Sequence, residues 1–460
     1  MAKKSFVVTG LGYGDEGKGK VTHWLCAKHK AHTVVRFGGP QAFHRVVVSS
    51  GREHVHSQFG SGTLVGAATH LSKNMVIDPY AIISEGRVLK YEFGLNWVFD
   101  GLTIHEDVLV ISPFQAIANR LRELVRGDAR YGSVGVGVGE TVLDAELFQD
   151  EAIKAQDLQK PELLDKLKAI RQRKIKELEG VISCIESLPQ KARNSARLEV
   201  ANLKNDNTVK WALGWFKQLA SMVKIVDTSY VAEKILGCPG IVVFEGSQGV
   251  LLDRWYGFHP YTTKVRTIPQ SALCIIKDCE YDGEVENLGV LRAYYTRHGA
   301  GPFITECPML TKKLPDAANN SEHPWQGNFR VGCFDMVMAK YAIEVCGGVL
   351  DGLIITCADR IQLLGKWQIC RSYNYSGLQS SDRIIVARGV NKAQLDRQKA
   401  LGRFLQECSP KIAAFKIERD VVGLCSGVLN ENLDVPVVAV STGPTEKNCI
   451  ELKYLKRADR

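Results

Sequence analysis

Short runs of apolar, β-branched residues recur along the chain, each closed by glycine or polar residues. "SFVVTG", "HTVVRF", "NMVID", "DVLVIS", "IVVFEG", "NLGVLRAYY", "GLIIT" and "VPVVAVS" are the clearest. Such runs read as buried strands, and helical stretches alternate with them. That rhythm predicts an α/β protein with sites at the strand ends. From about residue 150 to 236 the period changes. "ELLDKLKAIRQRKIKELEGVISCIESL" and "VKWALGWFKQLASMVKIV" space their apolar residues for helices, with Lys and Arg outside. This segment is expected to be a mainly helical insertion in one continuous domain spanning 1–460, because neither a repeat nor a low-complexity linker divides the chain.

Composition narrows the class without naming it. The 460 residues are 45% apolar and 24% charged, the proportions of an ordinary globular protein. No run approaches the roughly 20 apolar residues of a membrane helix, and "MAKKSFVVTG" turns into a strand without a signal-peptide core. A net charge of +9 suits handling of phosphates. No basic tail or aromatic RNA-binding motif accompanies it, so nucleic acid is not the expected partner. The 13 cysteines are scattered without a C-x-x-C pair. They read as reduced thiols of a cytoplasmic protein, and zinc is not expected.

The chemistry begins at "FVVTGLGYGDEGKGK". Gly12 to Lys18 fits the phosphate-loop pattern G-x-x-x-x-G-K, yet Gly19 stands where Ser or Thr would hold magnesium. The expected order is strand, glycine-rich loop, then a helix opening near Lys18, whose N–H groups face the phosphates. Asp15 and Glu16 lie inside that loop. A carboxylate there repels a bare phosphate, and makes sense as a metal ligand or as the base for a nucleophile. Asp15 is the candidate for either role.

A second loop follows in "VVRFGGPQAFHRVVV", where a strand ends in Gly38-Gly39 and His44 opens the next strand. A histidine beside a phosphate site can donate to a developing oxyanion. Downstream, "HVHSQFGSGTL" sets His54 and His56 at strand spacing, on one face as metal ligands would be. With no third ligand nearby in sequence, they read as ordinary strand residues.

Together these loops resemble the adenylosuccinate synthetase family, whose members carry G-D-E-G-K-G-K and then G-G-x-N-A-G-H-T. The likeness continues through "VIDP", "YGSVGVGVGET", "FEGSQGVLLD", "GFHPYTTKVRT", "GVLRAYYTRHGAGPFITE", "TCADRI" and "VSTGPTE". It implies a large, mainly parallel central sheet with helical insertions and a homodimer. The implied activity is a ligase that uses GTP (or ATP) and magnesium to phosphorylate the 6-oxygen of a purine nucleotide. An amine, aspartate in the family, then displaces that phosphate.

By resemblance, Asp15 takes the purine N1 proton and contacts magnesium together with the carbonyl of residue 43, here Phe43. His44 stabilises the phosphoryl group in flight, with Lys18 as the third catalytic residue. Gly14, Glu16, Gly17, Gly19 and Lys20 cradle the nucleotide phosphates, and Asp359, Ser441, Thr442 and Gly443 form the guanine pocket. Gln41, Ser133, Gln248, Thr263, Arg297 and Arg330 fall at substrate-binding positions.

The chain also departs from the family. Phe43 replaces a glycine, and Arg45 adds a cation. Val134 stands where a phosphate-binding Thr is usual, and no arginine matches the one that a partner chain supplies to the acceptor phosphate. In "HPWQGNFRVGCFD" two arginines of the aspartate loop are Gly327 and Phe329, leaving Arg330, Gly332 and Asp335. Cys357 replaces a lysine beside the guanine, with Arg360 close by. Lost charge-assisted contacts are worth about 1.5–3 kcal/mol each; Arg266, Lys264 or Arg330 are the residues able to restore them. Plain adenylosuccinate synthesis is the leading expectation. A paralogue using another amine or a deoxynucleotide such as dGMP is the alternative, as is a silent nucleotide sensor.

Overall fold

A computed structural model of the chain describes residues 2–314, 325–375 and 380–453. Its first strand, Lys3–Gly10, shows why the apolar runs are continuous rather than alternating. Phe6 and Val8 face Val21 and Leu25 of the helix Lys18–His29. Val7 faces the other way, onto Val35, Phe244 and Ile275. Both faces are covered, so the central run Phe6–Val8 is continuously apolar rather than alternating.

Among the described residues eleven strands form the central sheet. Across it, in order, they begin at Cys449, Val437, Gly352, Glu284, Lys3, Gly240, Thr33, Ala68, Leu102 and Lys224, with Leu109–Val110 pairing beside Ala68–Ile77. Pairing is parallel except at the edge, where Cys449–Glu451 runs antiparallel to Val437–Ser441. The sequence-predicted large, mainly parallel sheet is therefore present. Strand ends carrying Gly10, Gly38, Gly246, Arg292, Thr356 and Ser441 open toward one edge of the sheet, where connecting loops can meet.

Residues 163–222 are helical, as their spacing predicts, and Leu167, Ile170, Phe216 and Leu219 pack with Ile82, Phe114 and Ile117 of the helices Pro79–Tyr91 and Pro113–Arg126. One part differs. Lys224–Val226, placed in a helix by its apolar spacing, is a strand paired with Leu102–His105. Val223 is already extended, and β-branched Ile225 and Val226 suit a sheet edge.

Three smaller sheets surround the strand ends. His44–Val47 pairs with Glu53–His56, and Tyr295–His298 with Phe329–Gly332. Phe334–Asp335, Lys366–Asn374 and Ser409–Lys416 form the third, which the apolar pattern does not reveal. Among the described residues no helix is long and apolar enough to cross a membrane.

Candidate active site

The glycine loop leaves its strand at Gly10 and returns into the helix Lys18–His29. Gly14, Asp15 and Gly17 all take positive φ, at 93°, 62° and 85°, a curl that favours glycine at the first and last of these positions. Glu16 holds the curl from inside. Its Oε1 accepts from Gly12 N at 2.9 Å and Gly14 N at 2.7 Å, and its Oε2 pairs with Lys18 Nζ at 2.7 Å. Both side chains are buried. Glu16 is thus turned into the loop, as the anion around which it is wound, and its partner Lys18 turns inward with it. Thr356 Oγ1 donates to Glu16 O at 2.7 Å, tying the loop to the end of another strand.

Asp15 points the other way. Its Oδ2 lies 3.0 Å from Nε2 of His298, and a quarter of its side chain is open. Burial pushes its pKa up, but the neighbouring charges of His298, Arg292 and Lys18 outweigh that and hold it at about 2. Asp15 is therefore an anion at neutral pH. His298 stacks on Phe329, its cross-strand neighbour, at 5.1 Å between ring centroids. Sequence reasoning passed over His298, although the family pattern has Val at that place in "TRHGAGP". That mismatch was the available signal.

The missing hydroxyl at position 19 also has a physical reason. A Cβ on Gly19 would sit 2.7 Å from the Cβ of His44 and 3.1 Å from Ser61 Oγ. His44 occupies the space that a Ser or Thr side chain would need. Its Nδ1 is 2.6 Å from Glu245 Oε1. Glu245, at the end of strand Gly240–Gly246, is fully buried and also accepts from Ser61 N at 2.9 Å and from the Ser61 hydroxyl. Arg36 lies 3.7 Å from its other oxygen. Burial raises the Glu245 pKa, but Arg36 and His44 together hold it down at about 2.

The carboxylate fixes the tautomer of His44, with Nδ1–H donating to it. Among the described residues Nε2 of His44 is buried without a partner, so it is available to a ligand. Burial, with help from Arg36 and Lys18, lowers the His44 pKa to about 4 against the pull of Glu245. The imidazole is therefore neutral at neutral pH.

Lys20 spans to the far side of the site, donating to Ser441 Oγ and Gly443 O. The negative neighbours that steady it include Asp359 and Glu446, while burial lowers its pKa. Lys20, Asp359, Ser441 and Gly443 thus share one region. Thr442 is held by its N–H to Asn448 O at 3.0 Å. Cys357 adopts positive φ and accepts from Arg292 Nε at 3.3 Å.

Acceptor-side residues divide into two groups. Gln41 Nε2 donates to Thr263 Oγ1 at 3.2 Å, and Gln248, at φ 52°, buries both amide atoms without a partner among the described residues. Ser133 Oγ accepts from Asn119 at 2.8 Å in the loop before the helix Val138–Leu147. Lys264 lies along the first turn of that helix, its Cγ 3.4 Å from where a Cβ on Gly139 would be. Burial and the nearby Arg254 lower its pKa.

Other cations are already engaged. Arg297 is buried, donating to Ala300 O and Pro302 O, both at 3.0 Å, with its guanidinium 4.3 Å over the Tyr13 ring. Arg330 donates to Gly299 O at 2.8 Å and pairs with Glu306 at 2.5 Å. Arg266 stacks 3.8 Å over Trp255 and reaches Asp253. These arginines brace loops rather than stand open. Phe43 is half exposed. The aspartate-loop segment begins at His323 and Pro324, which lie outside the described residues.

Comparison with known proteins gives the family and the fold. The family model for adenylosuccinate synthetase matches residues 7–450. An adenylosuccinate synthetase of Prochlorococcus marinus (strain MIT 9515) is 32% identical over 374 residues, covering 81% of this chain and 79% of its own. One of Ehrlichia canis (strain Jake) is 27% identical over 450 residues, 97% of each chain. Among solved structures, a fully ligated adenylosuccinate synthetase of Plasmodium falciparum superposes with a TM-score of 0.75 at 18% identity, over 97% of this chain and 99% of that one. A cyanophage S-2L succinoaminodeoxyadenylate synthetase bound to dGMP and dATP gives 0.56 at 17% identity, over 98% and 96%. These two likenesses speak to the fold. The chain belongs to the adenylosuccinate synthetase family, and is a purine-nucleotide ligase that forms a carbon–nitrogen bond.

Proposed function

We propose that the protein transfers the γ-phosphoryl group of GTP to the 6-oxygen of IMP and couples L-aspartate there, giving adenylosuccinate. The observation that carries this reading is the meeting of two carboxylate-imidazole pairs at one glycine loop: Asp15 with His298, and His44 with Glu245. One supplies a base, the other an acid, and each is held at the loop or against its helix.

In this reading Asp15 exchanges His298 for the purine N1–H and removes its proton. The 6-oxygen gains charge and attacks phosphorus. His44, protonated as the polyanion arrives, donates from Nε2 to the transferring group while Glu245 stabilises its cation. Most of the barrier is lowered by such positioning and charge neutralisation. The amine then displaces the 6-phosphoryl group. Lys20, Asp359 and Ser441–Gly443 bind the donor base, and Gln248 offers its unpaired amide to the acceptor.

Magnesium fits the residues present. Asp15 is an anionic oxygen donor, and a Cβ on Gly14 would meet nothing within 4 Å, so there is open room beside the loop. One carboxylate with phosphate oxygens is a common magnesium shell. The second protein donor is the carbonyl of residue 43, which replacement of glycine by Phe43 leaves in place. When bound, the ion neutralises charge on the phosphates.

Lys264 takes the place of the lost acceptor-phosphate contacts. Its ammonium has no ion pair or hydrogen bond among the described residues, beside a helix N-terminus whose first turn favours an anion. A second reading, a deoxynucleotide acceptor, is favoured by Val134, Gly327 and Phe329 and by the dGMP-bound phage neighbour. Retention of Asp15 favours IMP. The protein is further proposed to act as a cytoplasmic homodimer.

Phosphate release decides between them. GTP and ATP are each supplied with IMP or dGMP, with and without aspartate. Turnover that requires GTP, IMP and aspartate is expected. Turnover with dGMP alone would establish the second reading, and nucleotide binding without turnover on either acceptor would overturn both.

A further inference from the structure

The hairpin that carries His44 also holds a second set of ligand side chains. His54 and His56, two apart on strand Glu53–His56, point to one face, and helix Pro79–Tyr91 brings Glu85 against them. Nε2 of His54 and Nδ1 of His56 lie 3.7 and 3.6 Å from Oε1 of Glu85. One donor atom from each residue falls within 4.8 Å of the other two. All three are buried, His56 completely.

Glu85 is the charge beside both imidazoles, but among the described residues it leaves them short of hydrogen-bond partners. Nε2 of His54 and both ring nitrogens of His56 are buried without a hydrogen-bond partner. An orphaned buried polar atom costs about 1–3 kcal/mol, and three together call for an occupant. The ion-pair contacts to Glu85 do not complete the imidazoles' hydrogen bonding. Distances of 3.6 and 3.7 Å are too long for hydrogen bonds. The two rings are also in contact, at 4.6 Å between centroids, so a pair of imidazolium ions would repel.

A metal ion answers all of these at once. Donors about 2.0–2.1 Å from a tetrahedral centre lie roughly 3.3 Å apart, so the two imidazole–carboxylate separations need close by only a few tenths of an ångström. We propose that His54, His56 and Glu85 bind one zinc-class divalent cation. Two imidazoles and one carboxylate suit such a borderline ion, and do not suit magnesium. Glu85 is braced for this role, since its carboxylate accepts from the backbone N–H groups of Ser57, Gln58 and Phe59 at 3.2, 2.8 and 3.2 Å.

That same segment reaches the proposed phosphoryl-transfer site. Ser57 O and Phe59 O accept from Arg36, which neighbours Glu245, the partner of His44. The ion would pin the His44 hairpin to helix Pro79–Tyr91 and hold this chain of contacts in place. It is a structural site, one protein ligand short of a closed tetrahedron.

The full chain, stripped with a chelator, is titrated with Zn2+ alone in excess Mg2+, and bound zinc, melting temperature and the Co2+ absorption spectrum are measured. One equivalent with Kd below about 1 μM, a raised melting temperature and visible Co2+ bands without a thiolate charge-transfer band are expected. Glu85→Gln and His54→Gln should each weaken binding by at least about tenfold. Because changes at fully buried His56 risk the fold, His54→Gln with an unchanged circular dichroism spectrum is the decisive variant. Zinc bound at full affinity by that variant, a thiolate band, or no zinc retained at micromolar concentration would each overturn the proposal.

Discussion

Nε2 of His298 sits 3.0 Å from Oδ2 of Asp15. The proposed base therefore has a competing partner within its own chain, and that partner sets its proton affinity. A base works best with a pKa near the working pH, whereas Asp15 is held at about 2. Its folded pKa lies below the ordinary value of 3.8, so Asp15 adds stability above that pH and loses it as pH falls toward about 2.

Replacing His298 by Val removes the main group opposing burial, which itself pushes the carboxyl upward. His298→Val is expected to raise the Asp15 pKa, moving the acid limb of the kcat/KM profile to higher pH. A pH series of phosphate release measures this. An unmoved limb would show that His298 does not govern Asp15.

Asp15→Asn is expected to abolish phosphoryl transfer while leaving triphosphate affinity within a few-fold. Calorimetric binding and single-turnover assays separate the two effects. Near-normal rates in this variant would mean that Asp15 is not the base.

Glu245 is the group that favours the imidazolium of His44, against burial and Arg36. Glu245→Gln should lower the His44 pKa further. Loss of general-acid catalysis, here by His44, typically costs about 10²–10⁴ in rate, and transfer should fall by up to that amount. Arg36 keeps its carbonyl partners Ser57 and Phe59, so a folded variant is expected by circular dichroism. A rate within about threefold of the parent would rule out His44 as the acid.

Gly19→Ser would restore the hydroxyl of a standard phosphate loop, yet the new Cβ would meet His44 Cβ at 2.7 Å. One of the two backbones must shift. Activity is expected to fall rather than rise, with kcat affected more than KM for the triphosphate. An unchanged kcat would show that the His44 hairpin yields freely.

Asp335, the cap of helix Met336–Val345, is buried, and burial lifts its pKa to about 6 against the hydroxyl of Tyr373 at 2.7 Å. The folded state binds this proton more tightly than the unfolded chain, whose value is 3.8. The group's cost is fully present above pH 6 and absent below 3.8, so its contribution to stability falls as pH rises between them. Asp335→Asn should flatten that part of the stability profile, read from urea midpoints. An unchanged slope would contradict the raised pKa.

Much of the candidate site is legible in the sequence. Asp15, Lys18, Lys20 and His44 stand in ordered motifs, because a phosphate loop draws its ligands from contiguous residues. Glu245 lay in a quoted motif without a role, since its partner His44 is 201 residues away in the chain. Arg330, which falls at a substrate-binding position by resemblance, is held by Glu306 and Gly299, partners that its place in the sequence does not name. Lys224–Val226 read as helix because apolar spacing over three residues does not separate a short edge strand from the end of a helix.

By itself the sequence determined the family, the apolar strands of a doubly covered sheet and the glycine loop with its acid. Those are local: backbone curl, side-chain period and helix start depend on neighbours a few residues apart. Only the tertiary structure decided which way each charge faces. Glu16 turns inward and Asp15 outward from adjacent positions, because two backbone N–H groups and Lys18 surround the first while His298 meets the second. Likewise His54 and His56 acquire Glu85 only where a hairpin packs on a helix. Pairing energies of this kind depend on distance in space, which the order of residues along the chain does not contain.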